Sequence, residues 1–229
     1  MFRLRITMRT LLHNPLQPQS RTIRLMLKEK RLEAVLQVER PWERREAFLA
    51  MNPAGETPVM IEESGLVVCG TCPIAEYLEE TFGDVSLLGV GSGERAEVRR
   101  LVDWFNQKFD REVTQNLLHE KIFKRFAAES GPDSGAIRAG KANIRTHLGY
   151  ISWLADRRNW LAGEALSLAD LAAAAQLSAI DYIGDVPWDE FPTAKDWYVR
   201  IKSRPSFRPL LADHIPGAPP PPHYADLDF

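Results

Sequence analysis

Apolar and polar positions along this chain change their period near residue 83. Before that point the pattern moves back and forth between strand and helix. "FRLRITMRTLLH" (2–13) alternates apolar and polar as far as Met8, as a half-buried strand does. "QSRTIRLMLKEK" (19–30) then places Ile23, Leu25 and Leu27 on a helical stripe with charges opposite. "EAVLQVER" (33–40) reads as a strand and "WERREAFLAM" (42–51) as a short helix. "TPVMIEE" (57–63) and "LVVCG" (66–70) read as two strands around the turn Ser64-Gly65. "CPIAEYLEETFG" (72–83) is a helix with Pro73 in its first turn, where a missing N–H costs nothing, and Gly83 as its stop. The predicted order is βαβαββα.

Beyond a linker at 83–93 the chain reads as helix alone. From Glu94 to Phe126 an apolar stripe runs through Val98, Leu101, Val102, Phe105, Phe109 and Val113, and a second helix spans roughly Ala136 to Arg158. "LSLADLAAAAQLSAIDYI" (166–183) is apolar nearly all round, the mark of a helix at the centre of a bundle. Ser167 is its N-cap, Asp170 answers at the third helical position, and Leu166 with Leu171 forms a hydrophobic staple. A last helix carries "AKDWYVRIKSRP" (194–205). The expected division is therefore an α/β domain over 1–82, a linker over 83–93, an all-helical domain over 94–212 and a proline-rich tail over 213–229.

Composition narrows the function classes. The 229 residues carry 29 Lys plus Arg against 31 Asp plus Glu, and a net charge of −2 argues against nucleic-acid binding. No run of 18 apolar residues suggests a membrane span, and the start has no apolar segment of a secretory signal. Cys69 and Cys72 are the only cysteines, which points to the cytoplasm rather than to a secreted disulfide framework. Two thiols without placed partners close no zinc site, and the five histidines show no ligand spacing, so no metal or cofactor is expected. The glycines of "GDVSLLGVGSGE" (83–94) have no strand leading into them and read as linker, not as a nucleotide fingerprint.

The element order and four local stretches together resemble the glutathione S-transferase family. "NPAGETPVM" (52–60) is similar to that family's turn into a cis-proline strand, "IAEYLEE" (74–80) to its third helix, "SLADLAAA" (167–174) to its capped buried helix, and "WYVRIKSRPS" (197–206) to its last long helix. The resemblance covers about residues 8 to 212, with a register beginning near Met8. It implies a thioredoxin-like N-terminal domain, an all-α C-terminal domain, a cis bond at Thr57–Pro58, and a homodimer.

The resemblance also implies a glutathione site, and two of its positions depart from the pattern. The slot for a thiolate-stabilising hydroxyl at the start of the first helix holds Gln17; Ser20 lies one turn on, and His13 and Asn14 are other polar neighbours. The family's Glu-Ser pair before the third helix is here Gly70–Thr71. Thr71 still offers a hydroxyl at a helix N-terminus, but Gly70 has no charge for the γ-glutamyl ammonium. Loss of a buried charged partner costs about 2–3 kcal/mol, a factor of roughly a hundred in affinity. Gln17, Thr57, Pro58, Gly70 and Thr71 therefore read as the remnant of a site. The CxxC of Cys69 and Cys72 opens the third helix, whereas a reactive thioredoxin-like CxxC opens the first, so both read as structural.

Binding surfaces then carry more weight. Trp42 in "VERPWERREAF" (38–48) is either a helix-start staple or an exposed anchor. Arg138, Lys141 and Arg145 share a helical face, either solvated or suited to an acidic partner. The tail "PPPPHYADLDF" (219–229) reads as a stiff polyproline II spacer that holds Tyr224, Asp226, Leu227, Asp228 and Phe229 out for a partner. The competing reading is a clasp packed on the helical domain. With its degraded glutathione residues, this ending resembles a branch of the family that binds filaments of the bacterial division polymer FtsZ. That implies a non-catalytic cytoplasmic protein recruited to the division site; a glutathione-dependent transferase or reductase working through Gln17 or Ser20 is the alternative.

Overall fold

The computed structural model describes residues 8–227 and separates into two compact units, the first ending at Val85 and the second beginning at Ser86. The first unit holds a four-stranded sheet in the order β2-β1-β3-β4: β1 Thr10–His13, β2 Val35–Val38, β3 Val59–Ile61 and β4 Val67–Cys69. β1 pairs parallel with β2 and antiparallel with β3, and β3 pairs antiparallel with β4. The helices are α1 Pro18–Glu29, α2 Glu46–Met51 and α3 Thr71–Thr81. The alternating stretch before Met8 lies outside the described residues. The strand itself carries Leu11 and Leu12 on opposite faces, both buried. A strand flanked by neighbours and covered on both sides reads as an apolar run instead of an alternation.

Leu12, Phe48 and Val59 form a buried cluster with Met51, Ile61 and Cys69 against it. A buried cation ties α1 to the end of α3. Lys30 pairs with Glu79 at 2.8 Å and also donates to the carbonyls of Phe82 (2.9 Å) and Val85 (2.6 Å). Each of its three donors is thus satisfied, which is the condition for keeping an ammonium out of water.

In the second unit α4, Ser92–Asp103, runs on without a break through a π-helical stretch, Trp104–Phe123, into a last turn, α5 Lys124–Phe126. The predicted stripe faces inward at Val98, Leu101, Phe105, Phe109 and Val113, while Val102 is only half-buried. α6, Ser134–Ala155, packs closely on this helix at Gly140, where a side chain would strike Leu117 and Asn116. Its N-cap is Asp133, whose carboxylate accepts from the amides of Gly135 (2.6 Å) and Ala136 (3.2 Å). α7, Leu168–Tyr182, is buried at every position, as its all-round apolar sequence predicts. α8, Pro192–Lys202, and the short α9, Arg208–Leu211, follow.

Asp170 organises the start of α7. Its carboxylate accepts from the Ser167 amide (3.0 Å), the Ser167 hydroxyl (2.8 Å), the Leu161 amide (2.8 Å) and Trp197 Nε1 (3.0 Å). The capping box read from the sequence is present, and its acid also fastens α8 and the loop before α7. Burial pushes the Asp170 carboxyl up, and the four donors pull it back.

Candidate functional site

The residues matched to the glutathione site come together within the first unit. Gln17 sits at the N-cap of α1, and its side-chain carbonyl accepts from the Thr57 hydroxyl and from Ser20 Oγ (3.3 Å). Ser20 is buried and accepts from the Asn14 amide at 3.2 Å, so its hydroxyl is engaged on both sides within the protein. Asn14 in turn takes the Leu16 amide at 3.1 Å. The Thr57–Pro58 bond is cis, and the Pro58 carbonyl accepts from the Gly70 amide at 2.9 Å. Contacts therefore run from Gln17 through Thr57 and Pro58 to Gly70 and Thr71, the first residue of α3.

Gly70 has φ +88°, a left-handed conformation that glycine adopts without strain. An added Cβ there would meet only the Pro73 ring, at an ordinary 3.6 Å from Cδ and 4.0 Å from Cγ. Backbone angle, not crowding, is what selects glycine. The position has no side chain at all, and so nothing charged to offer a ligand ammonium.

Both cysteines are free, with Cys69 half-buried and Cys72 exposed. The Cys69 thiol lies 3.6 Å from the Met51 carbonyl, and burial pushes its pKa up, away from a reactive thiolate. No group of three or more candidate metal ligands occurs among the described residues.

Of the surface candidates, Trp42 lies half-buried in the single turn Pro41–Glu43. The basic face of α6 is partly neutralised inside the chain: Arg145 makes a two-point pair with Glu190 (2.6 and 2.8 Å), and Lys141 lies 3.6 Å from Asp185. Arg138 is exposed.

The tail departs from the spacer reading. Pro221 has polyproline angles (φ −66°, ψ 156°), but a turn at Pro222–Ala225 follows at once and folds the chain onto the helical unit. Tyr224 is 0% exposed, so it is not a contact held out for a partner. Its hydroxyl donates to the Leu210 carbonyl (3.1 Å), and its ring meets Tyr182 edge-on at 5.0 Å. Burial of an aromatic body with its hydroxyl satisfied outweighs the freedom of an open tail. Upstream, Arg125 donates to the Gly217 carbonyl (2.7 Å), and Tyr182 donates to the Ala218 carbonyl (2.9 Å). Asp226 and Leu227 return to solvent, Leu227 at 40% exposure. Asp228 and Phe229 lie outside the described residues.

The sequence reading missed the groups that receive the tail. Asp181 and Lys202 have wholly buried side chains 3.7 Å apart. Asp181 also accepts from Trp188 Nε1 at 2.9 Å and lies 3.5 Å from His223 Nε2. Burial pushes the Asp181 carboxyl up and the Lys202 ammonium down, against the pull of their mutual attraction. The available signal was an acid inside an otherwise apolar helix, because a buried carboxylate demands a partner.

Models of the glutathione S-transferase N-terminal domain and C-terminal domain match residues 18–81 and 144–205. The chain belongs to the glutathione S-transferase family. Among its relatives, FtsZ-localized protein A of Caulobacter vibrioides is 53% identical over 96% of this chain and 98% of its own length. Among solved structures, FzlA from C. crescentus superposes with a TM-score of 0.94 at 53% identity, over 97% of this chain and all of that one. A glutathione S-transferase from Rhodospirillum rubrum F11 superposes with a TM-score of 0.95 at 56% identity, over the same shares.

Proposed function

We propose that this chain is a non-catalytic member of its family that binds FtsZ filaments and regulates constriction, as a cytoplasmic homodimer recruited to the division site. The observation that carries the non-catalytic part is Gly70: the slot that would hold the ammonium of glutathione has no side chain. Gln17, in the thiolate-stabilising slot, has its carbonyl turned to Thr57 and Ser20. The likeness to FtsZ-localized protein A supports the partner. The contact element is the end of the tail, Asp226, Leu227, Asp228 and Phe229, with Trp42 as a second candidate. Self-association is supported by the half-buried Tyr150 and exposed Trp153, stacked at 6.2 Å, with Arg157 over Trp153 at 4.5 Å. An exposed Trp and Arg beside a half-buried Tyr have the composition of interface hot spots. Two tails on one dimer would turn modest single contacts into avidity on a repeating filament.

The test is co-sedimentation with polymerised FtsZ, using the full chain, a chain ending at Ala225, and Asp226→Lys. Deleting 226–229 spares buried Tyr224. Loss of pelleting in both variants, with circular dichroism and dimer size unchanged, is expected. A chain ending at Ala225 that pellets like the full chain overturns the tail as contact element. A second reading, a glutathione-dependent transferase or reductase, draws on the cis-proline turn at Thr57–Pro58 and is separated from the first by the conjugation assay below.

A further inference from the structure

Burying Asp181 and Lys202 is expensive, and a well-packed apolar pair in their place would serve folding as well or better. Asp181 holds Trp188 Nε1 at 2.9 Å, and beyond that bond the charges grip the tail. Lys202 Nζ lies 3.4 Å from the backbone carbonyl of His223 and 5.9 Å from the ring centroids of Tyr198 and Tyr224. The same His223 carbonyl accepts from the amide of Asp226 at 3.1 Å. That bond closes the turn from which Asp226 and Leu227 leave the surface. Asp181 meets the His223 side chain at 3.5 Å from the other side. Tyr224 plugs the socket between them, held by Leu210 and Tyr182. The bonds at Gly217 and Ala218 and the prolines bring the chain to this socket, and the socket holds Tyr224 in place.

We infer that the Asp181–Lys202 pair and Tyr224 are positioning residues that fix Asp226 and Leu227 for the partner. The inference rests on the reading that the tail end contacts FtsZ. An end fixed in advance has less freedom to lose on binding; because Lys202 also attracts the Asp226 carboxylate, Tyr224→Ala, which leaves that charge in place, is the variant that reads positioning alone.

The test uses the full-length protein with four changes: Tyr224→Phe, Tyr224→Ala, Lys202→Met, and the uncharged pair Asp181→Asn with Lys202→Met. Amide hydrogen exchange at Tyr224 and Asp226 reports tail release, co-sedimentation with FtsZ reports affinity, and thermal melting reports the fold. Tyr224→Phe keeps the plug and is expected to bind within about twofold of the parent. Tyr224→Ala and Lys202→Met are expected to speed exchange at both amides and weaken binding about tenfold or more. The uncharged pair regains thermal stability over Lys202→Met while binding stays weak. Recovery of binding along with stability in that pair would make the charges merely structural and overturn the inference. So would a variant with a released tail that binds like the parent while the chain ending at Ala225 does not bind; the contact reading would then stand alone. Full binding by the chain ending at Ala225 would overturn the reading and the inference together.

Discussion

Replacing Asp170 by alanine should damage this protein far more than removal of a helix cap ordinarily does. A lost cap costs about 1–2 kcal/mol. Asp170, however, accepts four bonds from three places: Ser167 at the head of α7, the Leu161 amide in the preceding loop, and Trp197 on α8. In Asp170→Ala the Ser167 hydroxyl can rotate toward another acceptor. The Leu161 and Ser167 amides and the indole of the fully buried Trp197 cannot. Three stranded buried donors at about 1–3 kcal/mol each, eased by a water entering the void, give a loss of roughly 3–5 kcal/mol. At about 2–4 °C per kcal/mol this lowers the Tm by roughly 6–20 °C. Asp170→Asn keeps an oxygen facing Leu161 and Trp197 but turns an NH₂ toward Ser167, and should lose about 1–2 kcal/mol. Urea and thermal unfolding followed by circular dichroism measure all three proteins. A Tm for Asp170→Ala within about 2 °C of the parent would refute the accounting.

Gly140→Ala gains helix propensity, yet its new methyl would lie 2.7 Å from Leu117 Cγ and 2.9 Å from Asn116 Cβ. A net destabilisation of about 1–2 kcal/mol is expected by urea unfolding. Gly149→Ala, with only Phe191 in reach at 4.0 Å, should be neutral or stabilising, and the opposite order of the two would refute the packing. His147 Nδ1 accepts from Trp104 Nε1 (3.1 Å), leaving Nε2–H for Glu112 (3.1 Å), and burial lowers its pKa from the usual 6.5. The unfolded chain therefore takes up this proton first, so stability holds above about pH 6.5 and falls as pH drops below it, by up to about 1.4 kcal/mol per unit. Melting from pH 8 to 5.5 should show that slope in the parent and not in His147→Gln. Finally, no conjugation of glutathione to a standard electrophile above the uncatalysed rate is expected; turnover that Gln17→Ala abolishes would restore the transferase reading.

Much of the fold was legible because its local signals agree with one another. The cap at Ser167 and Asp170 and the stripe from Val98 to Val113 are written in residues close together in sequence, and each stretch carries its own period. The gathering of Gln17, Thr57 and Gly70 was legible for a different reason: their slots are defined by their sequence neighbours, and Gln17 and Gly70 depart there from the family pattern. The tail was not legible. Proline sets φ locally, and from the sequence four prolines announce stiffness; what decides their course is a socket built from Tyr182, Lys202 and Leu210, none adjacent to the tail in sequence. Tyr224 among aspartates looks like bait for a partner until its hydroxyl is found on the Leu210 carbonyl.

The left-handed backbone at Gly70 gives sequence change at this site a direction. A residue with a Cβ placed at φ +88° and ψ 154° carries a strain of about 1–3 kcal/mol. A glutamate there would have to recover that strain from a bound ligand, and an unliganded protein has none to recover it from. In an unliganded chain a substitution away from glycine at this position is therefore uphill by that strain. Glycine at 70 thus works as a latch: a charged side chain in this slot is held off by the backbone until a ligand returns what the strain takes.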